Sequence, residues 1–271
     1  MSGYDDAAAC DPARGPSLSV VLTGFSLALL LVSLSAGIVD PRLLDGVPVW
    51  NKPAKFALSF VVLFGTIAWL EVRLSQPWRT GWLLRGTMAV MAVCMIAEMG
   101  YIMMQAGLGQ TSHFNLSTPF NHFMYTIVMA FGAVLLVTGI GVFGYAAWAD
   151  RQANLTPALR IGTALGFGVS FLLTLFIAGY IGGRESSLVG TVGTNHSTLP
   201  FLGWSTEVGD LRPAHFLALH SMQILPLFGY LLDRWAISHR PVWVVSGSVV
   251  YTAATLLVFA QALAGQPLIS L

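Results

Sequence analysis

Gly209-Asp-Leu-Arg-Pro-Ala-His-Phe-Leu-Ala-Leu-His-Ser-Met-Gln-Ile-Leu-Pro226 sets an acid, a base, two histidines and a glutamine at the start of an apolar segment. Such groups are costly to place in lipid, so a chain that does so has a use for them. The segment itself is long enough to be a membrane helix. The whole chain agrees: 55% of its 271 residues are hydrophobic and only 9% are charged. Soluble domains carry nearer a quarter charged residues.

Working outward, seven apolar runs reach the ~20 residues that a bilayer core requires of a helix. They fall at 18–38, 54–72, 83–106, 119–148, 158–181, 211–232 and 242–264. Lipid offers no partner to backbone groups, so each run is expected to be helical. The expected architecture is all-α: a polytopic membrane protein with seven transmembrane helices in one bundle. Residues 1–17 form a polar tail, 18–265 the transmembrane domain and 266–271 a short C-terminal tail. The Ala7–Cys10 run looks like a lipoprotein cleavage box, but it precedes the first apolar run instead of following it. Leu18 to Ile38 is therefore read as a retained helix.

Boundary residues support the runs. Pro53 suits the opening of the second, and Thr118-Pro119 the opening of the fourth, with Thr118 as N-cap. Asp210 suits the N-cap of the sixth, which Pro226 should kink. Gly162 and Gly166 have the spacing that lets two helices approach closely, as packing within the bundle.

Lys and Arg divide eight to five between the faces, the larger share going to the N-terminal tail and loops two, four and six. That bias puts the N-terminus inside and the C-terminus outside. Loops one, three and five share the other face whatever the orientation. Five of the six histidines lie there: His113, His122, His196, His215 and His220. A net charge of +1 argues against nucleic acid as a partner. The lipid bilayer is the expected partner, with a small-molecule or lipid substrate. Cys10 and Cys94 sit in unlike surroundings and are expected to form no bridge.

Ser112-His-Phe-Asn-Leu-Ser-Thr-Pro-Phe120, the Gly209–Pro226 stretch and Asn51-Lys-Pro-Ala-Lys-Phe-Ala-Leu-Ser59 resemble the hallmark stretches of a group of bacterial seven-helix membrane proteins. The resemblance covers most of the chain. It implies a bacterial inner membrane and carries no catalytic assignment.

The candidate site collects on the face of loops three and five. Glu98 sits about 12 Å below the end of the third run. An ionised carboxylate there costs about 2.5–3.5 kcal/mol on the gentler insertion scale, so it must be protonated, paired or bound to a cation. Tyr101 and Gln105 follow on the same stripe. These residues serve either as interhelical hydrogen bonding or as a ligand or proton relay. Glu98 and Tyr101 are the candidate catalytic residues.

His122 and His220, on different helices, are candidate ligands of a haem or a transition metal, with Glu98 and His215 completing a metal set. His215 and His220 are about 140° apart around a helix and should not share one metal. His220 with Gln223 is the preferred inward face; His215 is read as interfacial. Arg184 and Lys52 offer positive charge to an anionic substrate or a haem propionate, whereas Asp210 and Arg212 are read as pairing with each other. Met88, Met91, Met95, Met99 and Met103 form a stripe that suits core filling better than copper. Three functions fit: a metal- or haem-binding protein acting as a membrane oxidoreductase, a proton-coupled transporter, or a metal-dependent membrane hydrolase.

Overall fold

The computed structural model describes residues 15–44, 46–193 and 197–270. Cys10 and His196 lie outside them. The described chain is almost entirely helical, and seven of its spans are long and apolar enough to cross a membrane.

The first span is α1, Leu18–Val39. A short hairpin, β1 Leu43–Leu44 with β2 Val47–Pro48, leads to α2, Asn51–Glu71. A short helix, α3 Gln76–Thr80, precedes the third span, α4, Trp82–Leu108. The fourth span is compound: α5 Pro119–Phe123, a π-helical stretch Met124–Met129, then α6 Ala130–Ala149. The fifth is α7, Pro157–Arg184. Strands β3 Leu188–Val189 and β4 Gly209–Asp210 pair antiparallel within loop five, and α8 Arg212–Arg234 and α9 Arg240–Leu263 complete the set.

The local signals act much as the residues dictate. Thr118 caps the fourth span, its hydroxyl accepting from the Asn121 amide at 3.1 Å. Pro53 stands at the third helical position of α2, which begins two residues earlier, at Asn51. Asp210 is not the N-cap of α8, a position held by Leu211. It lies in β4, yet its carboxylate accepts from the Arg212 amide and so still answers a first-turn donor.

Neighbouring helices in the bundle run α1, α2, α4, α6, α7, α8, α9. One apolar core joins α2, α4 and α6 to parts of α7 and α8. Phe64, Ile67, Met91, Met95, Met99, Phe143 and Phe167 are buried in it. The methionine stripe is thus packed among side chains of facing helices. Polarisable, unbranched side chains fill the irregular gaps that such crossings leave.

Helices α7 and α8 approach most closely. A Cβ added at Gly162 would strike the Leu225 carbonyl, and one at Gly166 would meet the Pro226 ring. The two glycines therefore seat the surface of α8 around Pro226. The helix runs continuously from Arg212 to Arg234, with Pro226 inside it. Small residues at a crossing allow the backbone approach that stabilises helix pairs in lipid.

Candidate functional site

Loop one is pinned first. Asp40 receives Arg42 Nε at 2.9 Å, Arg42 Nη2 at 2.7 Å and the Trp50 indole N–H at 2.8 Å. The Arg42 guanidinium, then the indole, hold this carboxyl far below the usual carboxylate range. Arg42 also donates to the Gly107 carbonyl at the end of α4. The entry to α2 is thereby fixed, and with it the direction of Lys52 and Lys55.

Lys52 and Lys55 lie one turn apart on α2, hence on one face. Lys55 Nζ donates to the Leu202 carbonyl at 3.4 Å. Arg212, the first residue of α8, donates to the next carbonyl, Gly203, at 2.5 Å. A tight turn of loop five presents those carbonyls side by side, closed by Gly203 N–H to Leu199 C=O at 2.8 Å. Gly203 itself has a positive φ of 69°. A Cβ there would lie 3.7 Å from Lys55 Nζ and 3.9 Å from Arg212 Nη1. Lys52 stands within reach of both like charges, on Lys55 and Arg212.

One carboxylate pairs with Arg212, and that of Glu185 lies within electrostatic reach of Tyr125. Asp210 is fully buried and binds Arg212 through both oxygens, at 2.6–3.1 Å, while accepting the Ser205 amide at 2.9 Å. Among the described residues Lys52 and Lys55 make no ion pair, and Lys52 Nζ and Arg212 Nη1 make no hydrogen bond. Buried or half-buried cations without partners are unusual, because the charge loses water and gains nothing in return.

His113 of loop three closes the side of this cluster. Its ring lies 5.2 Å from Phe56 of α2 and 6.1 Å from Tyr125 of the π-helical stretch, with Ser112 Oγ 3.2 Å from Nδ1. Burial, and then the Lys52 charge, push the imidazole well below its ordinary pKa, so it stands neutral.

A second polar array lies deeper. The stripe expected on α4 does face inward: Glu98, Tyr101 and Gln105 are all buried. Gln105 Nε2 donates to the Tyr101 hydroxyl, to Asn121 Oδ1 and to the Thr111 carbonyl, each at 3.1 Å, and Tyr101 donates to Asn121 at 3.2 Å. Glu98 is outside this network. Its Oε1 has no hydrogen-bond partner, as is true of Thr174 Oγ1 in α7 and His215 Nδ1 in α8.

The histidines expected to meet have different surroundings. His122 is exposed and donates no side-chain bond. It precedes the π-helical stretch, whose wider i→i+5 turn shifts the register between α5 and α6. Tyr125 is the residue of this stretch that reaches His113. His220 does face Gln223, with Nδ1 3.2 Å from Oε1, and Gln223 donates on to Thr66 of α2 at 2.9 Å. Phe216 lies against the His220 ring at 4.1 Å and Trp204 against Phe216 at 5.6 Å. Nδ1 of His215 is buried. Arg184 ends α7 exposed, 5.8 Å over the Tyr180 ring. Among the described residues no three His, Cys, Asp or Glu side chains gather as a metal-binding group, so His122, His215, His220 and Glu98 do not form one.

His113 and Lys55 belong to the cluster and were not singled out from the sequence as site residues. Lysines three apart at the mouth of an apolar helix, with no nearby acid in sequence, were the available signal for Lys55. The chain matches no family model, no curated protein and no solved structure.

Proposed function

We propose that this multi-pass membrane protein binds a small anionic molecule, bearing a carboxylate or phosphate group, between α2 and α8 on the face of loops three and five. The supporting observation is the convergence of Lys55 and Arg212 at Gly203, with Lys52 within electrostatic reach of both and Asp210 bound to Arg212. An anion seated there supplies the missing charge and takes hydrogen bonds from Lys52 Nζ and Arg212 Nη1. Charge-assisted bonds of this kind are the strong class, about twice the neutral ones. The turn at Leu199–Trp204 roofs the site, and Phe56, His113 and Tyr125 wall it. A neutral imidazole is suited to such a wall, since it adds no further positive charge and can donate one N–H. Lys52 thereby takes the anion-binding role that its charge suggests; Arg184 does not share it. A haem or transition-metal centre on His122, His215, His220 and Glu98 draws no support from any gathered group of three such ligands among the described residues.

The test is thermal unfolding of detergent-purified protein with rising phosphate or succinate against chloride at matched ionic strength. A ligand at a hundred times its Kd stabilises by about 2.7 kcal/mol. The expected result is a saturable rise in Tm for one of these anions, absent in the double variant Lys52→Gln/Lys55→Gln. An equal rise in that variant contradicts the proposal.

A further inference from the structure

Glu98 is ten residues from the end of α4, about 15 Å down the helix. It is 5% exposed, and Oε1 meets no donor. What it meets instead is Gly132 of α6, where an added Cβ would come within 3.1 Å of that oxygen. Glycine leaves room there for the carboxyl and for nothing larger. Three residues along α4 from Glu98, Tyr101 begins the hydrogen-bonded set that runs through Asn121 and Gln105 to the Thr111 carbonyl of loop three. Directly before α6, the span adopts its π-helical turn, a feature that recurs at functional sites.

Among the described residues, Glu98 makes no ion pair. On α4 the titratable neighbours are Cys94 and Tyr101. Between Lys55 and Glu71, α2 has none, and it packs Phe60, Leu63, Phe64 and Ile67 toward the core. On α6 the one titratable side chain is Tyr145, toward the far end; α1 has none. Arg79 of α3 belongs to the opposite face. Tyr125 of the π-helical stretch is turned to His113 and Phe114, and His122 of α5 is exposed. A metal cation needs several oxygen ligands, and one carboxyl is present. An ionised carboxylate in this place is expensive, whereas a protonated one needs no partner charge.

We infer that Glu98 is a proton-binding site within the membrane, exchanging its proton with the face of loop three past Tyr101, one turn above it, where the separate Tyr101–Asn121–Gln105 array begins. The ligand is the proton itself, and the inference does not rest on the anion site. Glu98 takes it up as a neutral carboxylic acid and gives it up as the carboxylate; no other bond changes.

Infrared spectroscopy of the whole protein in lipid tests this. The carbonyl stretch of a protonated carboxyl should be present near neutral pH and lost in Glu98→Gln. It should shift on transfer to D2O and weaken as the carboxyl is titrated with rising pH. Tyr101→Phe should slow the D2O shift severalfold while leaving the band in place. Should Glu98→Gln fail to fold, wild-type protein can be treated with dicyclohexylcarbodiimide and mapped by mass spectrometry. The acid adds across one C=N bond of that apolar reagent, its proton going to nitrogen, and the adduct rearranges to an N-acylurea with nothing lost. An adduct on Glu98, and none from a water-soluble carbodiimide, is expected. No carboxyl band and no adduct overturn the inference, as does a band that neither exchanges in D2O nor titrates.

Discussion

The two ends of the bundle treat charge in opposite ways. At the end bearing loops two, four and six, the charged groups that join the helices are answered. Asp150 accepts from the Ser75 amide at 2.7 Å and the Gln152 amide at 3.0 Å. Arg160 donates to the Asp150, Arg151 and Ala153 carbonyls, and Arg73 to Trp69 at 2.7 Å. Asp233 takes the Thr156 hydroxyl, the Leu159 amide and Arg240. At the other end, among the described residues, Lys52 and Lys55 make no ion pair, and Oε1 of Glu98 and Nδ1 of His215 have no hydrogen-bond partner. Unsatisfied groups cost stability, so a fold keeps them where they serve something else. One end of this molecule holds the helices together; the other is where the proposed anion site lies.

The comparison can be broken most readily at Asp210. Asp210→Ala removes the buried carboxylate that pairs with Arg212 and leaves the Ser205 and Arg212 amides unanswered. Loss of one partner of a buried pair costs about 3–5 kcal/mol, and the part-exposed Arg212 lowers that to about 2–4 kcal/mol. Denaturant unfolding in mild detergent reads the loss, and added phosphate should restore part of it. Next comes Gly162→Ala, which forces α7 off the Leu225 carbonyl of α8. Overpacking of this kind costs about 1–3 kcal/mol. The same assay should show that loss with no dependence on added anion.

The smallest effect is a pH dependence from His113. The unfolded chain protonates this ring near pH 6.5, and the folded site, where burial and Lys52 hold the pKa low, resists it. The folded state therefore binds fewer protons. Its full contribution is present above about pH 6.5 and is lost as pH falls below it, at up to about 1.4 kcal/mol per pH unit. His113→Gln should flatten the acid limb of the stability curve. An unchanged slope would mean that the ring protonates freely in the fold.

How much of this was legible varied with the range of the interaction. Seven spans followed from apolar length, and Thr118 and Gly162 acted as their chemistry suggests because caps and close crossings are local or periodic. The His220–Gln223 pairing is one helical turn and was readable for the same reason. The turn register around His122 was not, because a π-helical turn leaves no mark in the pattern of apolar residues. The cationic cluster depends on α2, loop three and the start of α8, segments more than 50 residues apart in sequence. No period in the sequence brings Lys52, His113 and Arg212 together. Arg212 was legible only as the partner of Asp210, which it is; that it also faces two lysines came from the packing of the helices.

Paired charge removal at the two ends tests the division of labour most directly. Wild type, Lys52→Gln/Lys55→Gln and Arg160→Gln are titrated with phosphate and with succinate by calorimetry, and their Tm values are measured without ligand. The lysine variant should bind the preferred anion at least about tenfold more weakly, with its ligand-free Tm unchanged or raised, since two repelling charges are gone. Arg160→Gln should bind as wild type does while unfolding at a lower temperature. Equal anion affinity in all three proteins, or a loss of affinity in Arg160→Gln alone, would contradict the assignment of binding to the α2–α8 end.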